Sequence, residues 1–324
     1  MSQGIIGLGI WCVDTTYKIQ QLPERGKLEP IIKSFQCVGG GPSNVLTDLN
    51  SLGFKYPMIG MGSIGSDANA SFIKKHCQKN QIQSQLLVVS KSTSTSHSVC
   101  MFEEQKERTF LYFAGANNLL DTRHFKLNKL KNRPKILYVG YITLLGKLDQ
   151  FSNKKTRLQI ILKQAKKNNI ITVVDLASNK DPQFQKIVFS SLPYIDYLLL
   201  NEIEAQLLFK ESIINSKKNF NKKKLIRLTN KIFKKGILKA LIIHSPDESL
   251  YISPNENIHT KSKKIAKSKI VNSVGAGDAF CAGFIYGVHE NWNMKTTLLK
   301  AHAAGAAMMK IDASSGKLPN IKNL

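Results

Sequence analysis

The segment VGAGD at 274–278 contains the residue types that phosphate chemistry requires. Gly275 and Gly277 allow a sharp backbone turn that brings successive N–H groups close to a ligand. The small apolar residues that follow predict a helix over 276–288, whose unpaired N–H groups and positive dipole end point into the turn. Gly275, Ala276 and Gly277 are therefore candidates for an anion hole that accepts a phosphate group.

Asp278 lies in the first turn of this predicted helix. An ionised carboxylate there could accept a proton from an attacking hydroxyl group, and phosphoryl transfer needs little beyond such an acceptor, positioning and charge neutralisation. A helix dipole also favours a carboxylate at the helix N-terminus that has no catalytic role. Taken alone, the segment favours this second explanation.

A second glycine-rich segment, GGGPSN at 39–44, precedes another predicted helix. Gly40 and Gly41 would let a ligand touch the main chain, and the Asn44 amide offers both a donor and an acceptor to hydroxyl groups. Asp14 follows the first predicted strand, where α/β proteins keep their ligand clefts, and its carboxylate could bind two sugar hydroxyl groups. The alternative explanations are a tight turn, a helix cap and an ordinary turn residue.

An alternation of strand-length apolar runs and helical patterns positions these residues and indicates an α/β fold with a parallel sheet. Strands are predicted at 4–13, 57–62, 136–139, 170–174, 197–200 and 240–244, and helices at 43–52, 68–79, 155–167, 203–209, 222–235, 276–288 and 295–309. Two regions, 26–38 and 96–113, alternate without a helix and predict a small antiparallel sheet that covers a cleft. We expect one domain, residues 1–324, with lid segments near 15–38 and 92–114.

The chain is strongly basic, with 47 Lys and Arg against 22 Asp and Glu and a formal net charge of +25. Clustered cations bind nucleic acid by releasing counterions from its phosphates, so a nucleic-acid-binding protein is one interpretation. The lysines, however, occur in short pairs and triplets on predicted amphipathic helices, with no aromatic residues interleaved. We therefore expect a solvated basic surface, which would attract anionic nucleotides, and no nucleic-acid partner.

The five cysteines are widely scattered, form no CxxC pair and are odd in number. This pattern favours reduced thiols over a disulfide framework or a zinc site. No long uncharged apolar run suggests a membrane span, and the apolar start of the chain has no basic segment before it. We expect a cytoplasmic protein with no membrane partner.

Four motifs resemble, in order and spacing, those of the ribokinase-like, or PfkB, carbohydrate kinases. They are Asp14 after a strand, GGGPSN at 39–44, Asn201 with Glu204, and VGAGD at 274–278. The resemblance extends over about residues 7–316. It implies a three-layer α/β/α body with a central, mostly parallel sheet and a small β-sheet lid.

The resemblance also implies a role for each candidate residue. Those acting on the transferred phosphoryl group would be the catalytic base Asp278 and the anion-hole amides of Gly275, Ala276 and Gly277. Those holding the phosphate acceptor would be Asp14, Gly40, Gly41 and Asn44. Asn201 and Glu204 would organise Mg²⁺ and the ATP phosphates, with Glu204 acting through water because Mg²⁺ retains much of its hydration.

The chain departs from the family pattern at two places. Asn272 stands where relatives usually carry an aspartate that helps bind an activating monovalent cation, which leaves dependence on such a cation open. Relatives also tend to have a glycine-containing turn after the strand that meets the nucleotide, and the segment 244–249 lacks those glycines. Ser245 could replace one nucleotide contact there, and His302 either borders the adenine or packs in the core.

The resemblance implies an ATP-dependent kinase that phosphorylates a hydroxyl group of a sugar or a sugar-like small molecule. A nucleoside kinase is the second interpretation, because the same scaffold accepts a ribose that carries a base. A non-catalytic regulatory protein on a kinase scaffold is the third. The lid also suggests a homodimer, since an exposed sheet face often finds a partner.

Overall fold

The structure is a computed structural model that describes residues 3–103, 109–127, 130, 133–179, 181–215, 219–234, 236 and 239–324. In chain order its strands are β1 Ile5–Leu8, β2 Cys12–Ile19, β3 Ile31–Gly39, β4 Met58–Ile64, β5 Ile82–Val89, β6 His97–Glu103, β7 Thr109–Phe113, β8 Ile136–Ile142, β9 Phe151–Ser152, β10 Lys155–Thr156, β11 Ile171–Leu176, β12 Tyr197–Asn201, β13 Ala240–His244, β14 Glu248–Ile252 and β15 Asn257–Lys261. Its α-helices are α1 Gly41–Ser51, α2 Ala68–Lys79, α3 Arg157–Lys167, α4 Phe184–Ser191, α5 Glu202–Phe209, α6 Lys222–Phe233, α7 Ala276–His289 and α8 Met294–Met308.

Within these residues, a nine-stranded sheet has the order β15-β14-β13-β12-β11-β8-β1-β4-β5. Neighbouring strands from β13 to β5 are parallel, whereas β14 and β15 continue the sheet in antiparallel fashion. The carboxyl ends of parallel strands meet at one edge of a sheet. The residues that end β8, β11, β12 and β13 therefore lie along the same edge.

Helices cover both faces of this sheet. Successive side chains of a strand point to opposite faces, and in β12 Leu198 and Leu200 join one apolar core while Leu199 joins the other. The first core includes side chains of α3, α4, α5 and α6, and the second includes side chains of α1, α2, α7 and α8. The predicted three-layer α/β/α fold is thus confirmed. None of the helices in the described ranges is long and apolar enough to span a membrane.

A separate four-stranded sheet has the order β3-β2-β6-β7 and corresponds to the predicted lid. It is mixed rather than purely antiparallel, because β2 and β6 run in the same direction. Strands lie in both predicted regions, 26–38 and 96–113, but residues 104–108 of the second region lie outside the described residues.

The predicted strand at 4–13 is divided between the two sheets. β1 ends at Leu8 and β2 begins at Cys12, because the chain leaves the central sheet for the lid between them. A Cβ atom on Gly9 would lie 2.6 Å from the carbonyl oxygen of Gly140, so the exit from the sheet requires glycine.

Several elements of the body have no counterpart in the sequence prediction, among them β5, α4, β14 and β15. β5 has polar residues at three of its first four positions and α4 is only eight residues long, so neither has a clear periodic pattern. The helix predicted at 222–235 ends at Phe233, and residue 235 lies outside the described residues.

Candidate active site

The turn before α7 has the geometry that its glycines predict. Gly275 has a φ of 80° and is the N-cap of α7. A Cβ atom there would lie 1.9 Å from the carbonyl oxygen of Ser314, so the position requires glycine. At Gly277, the nearest atom to such a Cβ outside the helix is Cε1 of His244, 3.9 Å away. The first turn of α7 therefore faces open space beside His244.

Asp278 is buried at this turn and accepts hydrogen bonds from two other elements. Nδ2 of Asn44 on α1 donates to its Oδ2 over 2.9 Å, and the Tyr141 hydroxyl on β8 lies 3.0 Å from both carboxylate oxygens. Burial raises the pKa of Asp278 to about 6, and these hydrogen bonds oppose the rise. The carboxylate is consequently ionised at neutral pH yet more basic than an exposed aspartate, as a proton acceptor requires.

The three glycines before α1 allow close approaches to the backbone. A Cβ atom on Gly39 would lie 1.9 Å from Oδ2 of Asp14, and one on Gly40 would lie 2.1 Å from a carbonyl oxygen of the β1–β2 connection. Gly40 also has a φ of 96°, which glycine adopts without strain. A Cβ on Gly41 would lie 3.1 Å from the ring of Tyr141. The glycines thus bring the start of α1 against both Asp14 and Tyr141.

Asp14 and Asn44 are the polar side chains on either side of this glycine segment. Oδ1 of Asp14 accepts a 2.5 Å hydrogen bond from Oγ of Ser98 and a 3.4 Å contact from Sγ of Cys12. Burial raises the pKa of the Asp14 carboxyl, and these two hydrogen bonds oppose the rise. Oδ1 of Asn44 is buried and has no hydrogen-bond partner among the residues that the structure describes. Such an oxygen is available to a hydroxyl group of a bound molecule.

Asn201 and Glu204 form a capping box at the start of α5. The Asn201 side chain accepts from the backbone N–H of Ile203 and of Glu204, and Oε2 of Glu204 accepts from the backbone N–H of Asn201 over 3.0 Å. Oε1 of Glu204 accepts further bonds from Ser178 and from the Asn201 amide. Burial raises the pKa of Glu204. The pair is therefore a rigid, oxygen-rich group at the end of β12.

A cavity of about 320 Å³ brings together the groups at the starts of α7 and α5, whereas Asp14, Gly40, Gly41 and Asn44 are not among the residues that line it. Its lining includes the glycines of the anion-hole turn, three acids and residues near the ends of strands. These are Gly275, Gly277, Asp278, Glu204, Asp175, Asn201, Tyr141 and His244. The structure thus gathers residues of α7, α5, β8, β11, β12 and β13 at the carboxyl edge of the central sheet.

A second cavity, of about 680 Å³, lies beside α8. Its lining combines apolar residues such as Leu299 and Ala303 with six lysines, Lys261, Lys263, Lys264, Lys269, Lys300 and Lys310. His302 also lines it, and Nε2 of that ring is buried without a hydrogen-bond partner among the described residues. The Phe280 ring stacks on His244 of the first cavity, with centroids 4.4 Å apart, and makes an edge contact with His302. An aromatic row therefore connects the two cavities.

Ser245 lies apart from both cavity linings, in the turn between β13 and β14. Its hydroxyl accepts from the backbone N–H of Asp247 and of Glu248 and donates to the carbonyl oxygen of Glu248. The hydroxyl thus stabilises this turn, and a nucleotide contact by Ser245 stays a prediction.

Asp175 and Tyr141 line the first cavity and are missing from the candidates drawn from sequence. Asp175 ends the apolar run of β11, and Tyr141 ends that of β8. The rule that selects Asp14, a polar residue directly after a predicted strand, would also have selected Asp175. No pattern in the sequence distinguishes Tyr141 from the other tyrosines of the chain.

Comparisons with known proteins agree with this geometry. A family model described as pfkB family carbohydrate kinase matches residues 8–319. The chain is 23% identical to a ribokinase of Dictyostelium discoideum over 306 residues, which cover 92% of this chain and 91% of that protein. It is 23% identical to an adenosine kinase of Schizosaccharomyces pombe over 262 residues, which cover 80% of this chain and 75% of that protein.

A solved structure of Arabidopsis thaliana ribokinase complexed with ribose and ATP has the same fold. The two structures superpose with a TM-score of 0.79 at 18% sequence identity. The superposition covers 99% of this chain and 97% of the Arabidopsis chain. The family match contains the glycine segment before α1, the capping box of α5 and the turn before α7. The chain therefore belongs to the pfkB family of carbohydrate kinases.

Proposed function

We propose that the chain transfers the γ-phosphoryl group of ATP to a hydroxyl group of a free sugar or sugar acid, with Asp278 as the base. The observation that carries this proposal is the buried carboxylate of Asp278 at the start of α7. This carboxylate accepts a hydrogen bond from Asn44 and lines a cavity that Glu204 also lines. The acceptor O–H bond breaks and its proton passes to Asp278. A bond from the acceptor oxygen to the γ-phosphorus forms as the bond to ADP breaks.

The acceptor site in this proposal comprises Asp14, Gly40, Gly41 and Asn44. The unpartnered Oδ1 of Asn44 supports it, because a bound hydroxyl group would satisfy that buried oxygen. Asp14 would accept from a second hydroxyl group, since a carboxylate has about four lone-pair sites and the two contacts that the described residues make with this carboxylate are both to Oδ1. The developing charge would be stabilised by the amides of Gly275, Ala276 and Gly277.

The nucleotide in this proposal lies along the aromatic row between the two cavities. The base would occupy the second cavity, where Nε2 of His302 lacks a partner among the described residues. The phosphates would extend toward the turn at Gly275, and the six lysines would favour their negative charge. The ribose and ATP of the Arabidopsis ribokinase structure support a shared arrangement of sugar and nucleotide.

The donor set beside Asp278 fits Mg²⁺. Glu204 supplies carboxylate oxygens at the cavity wall and would act through water, because Mg²⁺ dehydrates reluctantly. The Asn201 oxygen already accepts two backbone N–H groups, so Asn201 would act by holding Glu204 through its amide N–H group. The ion would supply charge neutralisation for the nucleotide phosphates. Whether a monovalent cation also contributes depends on the side chain of Asn272.

The whole chain, 1–324, acts in this proposal as one kinase domain whose lid segments near 15–38 and 92–114 close over the acceptor. The apolar side chains exposed on the lid support a homodimer through that sheet, including Ile32, Phe35 and Leu111. ATP as the donor and the buried thiols of Cys12 and Cys281 are consistent with a cytoplasmic enzyme.

The first test is ATP consumption by the purified full-length chain with Mg²⁺, measured across free sugars, sugar acids, sugar phosphates and nucleosides. We expect a strong signal among the free sugars or sugar acids. A nucleoside signal alone would replace the proposed acceptor with a ribose that carries a base. Silence across the panel, together with absent ATP binding, would contradict the proposed activity.

The role of Asp278 is tested by Asp278→Asn. We expect kcat to fall by at least about 100-fold, because the amide cannot accept the acceptor proton. ATP binding, measured by calorimetry, should stay nearly unchanged. The matched control is Glu256→Gln, which neutralises an exposed acid in the β14–β15 turn and should leave kcat unaltered. Wild-type turnover by Asp278→Asn would remove Asp278 from the mechanism.

A further inference from the structure

Tyr141, the penultimate residue of β8, has a backbone conformation that is uncommon for a non-glycine residue. Its φ is 63°, and Thr143 two residues later has a φ of 84°. Left-handed conformations are unfavourable for residues with a Cβ, and those that persist tend to occur at functional sites. The register between β8 and β11 also shifts at this point, between Val174 and Leu176. Irregularities of this kind change the direction of a side chain beside a site.

Asp175 stabilises the irregular backbone at Tyr141. Its Oδ1 accepts the backbone N–H of Tyr141 over 2.9 Å, and its Oδ2 accepts the hydroxyl of Tyr138 over 2.9 Å. Both carboxylate oxygens thus bind groups of β8, on either side of Gly140. The contacts hold the end of β8 in one position relative to β11.

The Tyr141 ring extends from this turn to the candidate base. Its hydroxyl lies 3.0 Å from Oδ1 and 3.0 Å from Oδ2 of Asp278, so one donor is shared between the two oxygens. Asn44 donates to Oδ2 from the opposite element, α1. Two donors on separate elements fix the plane of the carboxylate. Lone pairs remain for an acceptor hydroxyl, because a carboxylate offers about four such sites.

We propose that Tyr141 is a positioning residue for phosphoryl transfer, whose hydroxyl orients the Asp278 carboxylate and stabilises its ionised form, while Asp175 holds the backbone turn that directs the ring. This inference rests on the proposed role of Asp278 as the base. It assigns the irregular end of β8 a function in catalysis rather than in packing alone.

The electrostatic effect of Tyr141 opposes that of its surroundings. Among the described residues, the other titratable groups around Asp278 are Asp48 of α1, Tyr138 of β8, Asp175 of β11, Glu204 of α5, His244 of β13 and Cys281 of α7. Burial raises the pKa of Asp278, and each of the three acids would add to this rise only when it is ionised. Hydrogen bonds from Tyr141 and Asn44 act in the other direction.

The test is the pH profile of kcat/KM for the acceptor in the full-length Tyr141→Phe variant. The acid limb in the wild type should lie near the Asp278 pKa of about 6. Because the variant loses a donor to the charged form, its limb should move upward by about one pH unit. The plateau above that limb should also fall by about ten-fold, since the carboxylate is less well oriented.

The matched control is Tyr138→Phe, which removes a hydroxyl of the same strand that contacts Asp175 and not Asp278. Its acid limb should not move upward. A Tyr141→Phe plateau that falls with no movement of the limb would overturn the proposal, because a purely structural role predicts that result. An upward shift of equal size in both variants would also overturn it.

The Asp278→Asn variant distinguishes failure of this inference from failure of the proposed base. If Asp278→Asn is inactive and the Tyr141→Phe limb stays in place, Asp278 remains the base and the role of Tyr141 is wrong. If Asp278→Asn turns over like the wild type, both assignments are wrong. Circular dichroism and thermal unfolding of each variant confirm that the compared proteins are folded.

Discussion

Asn272 makes contacts that an aspartate at the same position could not make. Its Nδ2 donates to the carbonyl oxygens of Ile311 over 3.4 Å and of Ala313 over 3.2 Å, and its Oδ1 accepts the backbone N–H of Val274 over 2.5 Å. An aspartate has no N–H group, and its charge would repel both carbonyl oxygens unless a cation lay between them. We propose that the Asn272 amide takes the place of a bound cation between these carbonyl oxygens.

We therefore expect the wild-type chain to be equally active in K⁺ and in a bulky organic cation such as tetramethylammonium. Asn272→Asp should lose activity in the organic cation and recover it in K⁺, because the new carboxylate restores an oxygen-only site. Initial rates at constant ionic strength measure both effects.

Asn255→Asp is the control for the added charge, because Asn255 is exposed in the β14–β15 turn. It should show no cation dependence. Strong K⁺ activation of the wild type would contradict the proposed role of the Asn272 amide.

At the scale of elements, α1 is tied to the segment before the C-terminus through a buried acid. Asp48 of α1 is fully buried, and its Oδ1 accepts the backbone N–H of Gly316 over 2.6 Å. The same segment presents the Ser314 carbonyl to Gly275. Asp48 therefore supports, through residues 314–316, the turn that precedes α7.

The Asp48 carboxyl is expected to make stability depend on pH. Burial raises its pKa well above the ordinary value, and the nearby Asp278 charge adds to the rise. A raised native pKa means that the stabilisation is complete below the unfolded pKa of about 4 and is lost as pH rises through the native pKa. Asp48→Asn keeps an oxygen for Gly316 and has no such titration.

The free energy of unfolding of Asp48→Asn, relative to the wild type, should therefore increase from pH 5 to pH 8. Urea unfolding at three pH values in this range measures it. Asp48→Ala is the matched variant, since it lacks the acceptor for Gly316 and should be less stable than Asp48→Asn by about 1–3 kcal/mol at each pH. A difference between Asp48→Asn and the wild type that does not vary with pH would contradict this account.

The capping box at α5 shows how one element serves two purposes. Asn201 and Glu204 satisfy backbone groups at the start of the helix, which is sufficient reason for both residue types at that spacing. The same contacts hold the two side chains at the wall of the cavity that contains Asp278. Removal of either residue would consequently affect helix stability as well as any ligand, so an activity loss alone would not separate the two roles.

At the scale of the whole molecule, part of the formal charge of +25 lies beside a candidate ligand cavity. Six lysines line the second cavity beside α8, where a nucleotide is proposed to bind. A positive cleft raises the local concentration of an anionic ligand and speeds its association, an effect that salt reduces. These six lysines would thus attract an anionic nucleotide to the cavity, and the absence of a nucleic-acid partner stays a prediction.

The lid exposes apolar side chains that a monomer would leave in water. Ile32, Phe35, Phe110 and Leu111 are each between 44% and 62% exposed, and β3 and β7 are the edge strands of the lid sheet. Phe35 and Phe110 lie on the lid face of Asp14, and Leu111 lies on the opposite face. Exposed edges and apolar patches favour pairing with a second chain. We therefore expect a homodimer through the lid, measurable by light scattering on a size-exclusion column.

Leu111→Lys should shift the chain toward the monomer. Leu111 pairs with Val99 and is adjacent to Tyr112, so it points to the lid face opposite that of Asp14, Ser98 and Tyr112. The substitution therefore leaves the Asp14 face unchanged. Ile160→Lys, at a half-exposed position on α3, is the control and should not alter the mass. A monomeric wild type at micromolar concentration would contradict the prediction.

Much of the fold and part of the site could be predicted from sequence, because both are encoded over short distances. The α/β alternation depends on local hydrophobic periodicity, and β8, β11, β12 and β13 all lie at predicted strands. The turns at Gly40 and Gly275 depend on the conformational freedom of glycine, which the residue type alone indicates. Asp278 and Asn44 follow from their positions beside those turns.

Only the tertiary structure decided which side chains of distant elements meet. Tyr141 and Asp278 are 137 residues apart, and their contact depends on the order of strands in the sheet and on an irregularity at the end of β8. The ties from Asn272 to Ala313 and from Asp48 to Gly316 likewise join separate segments. Local periodicity determines whether a segment forms a strand or a helix, but it carries no information on which other segment packs against it. The groups that surround the base are therefore properties of the assembled sheet and its helices.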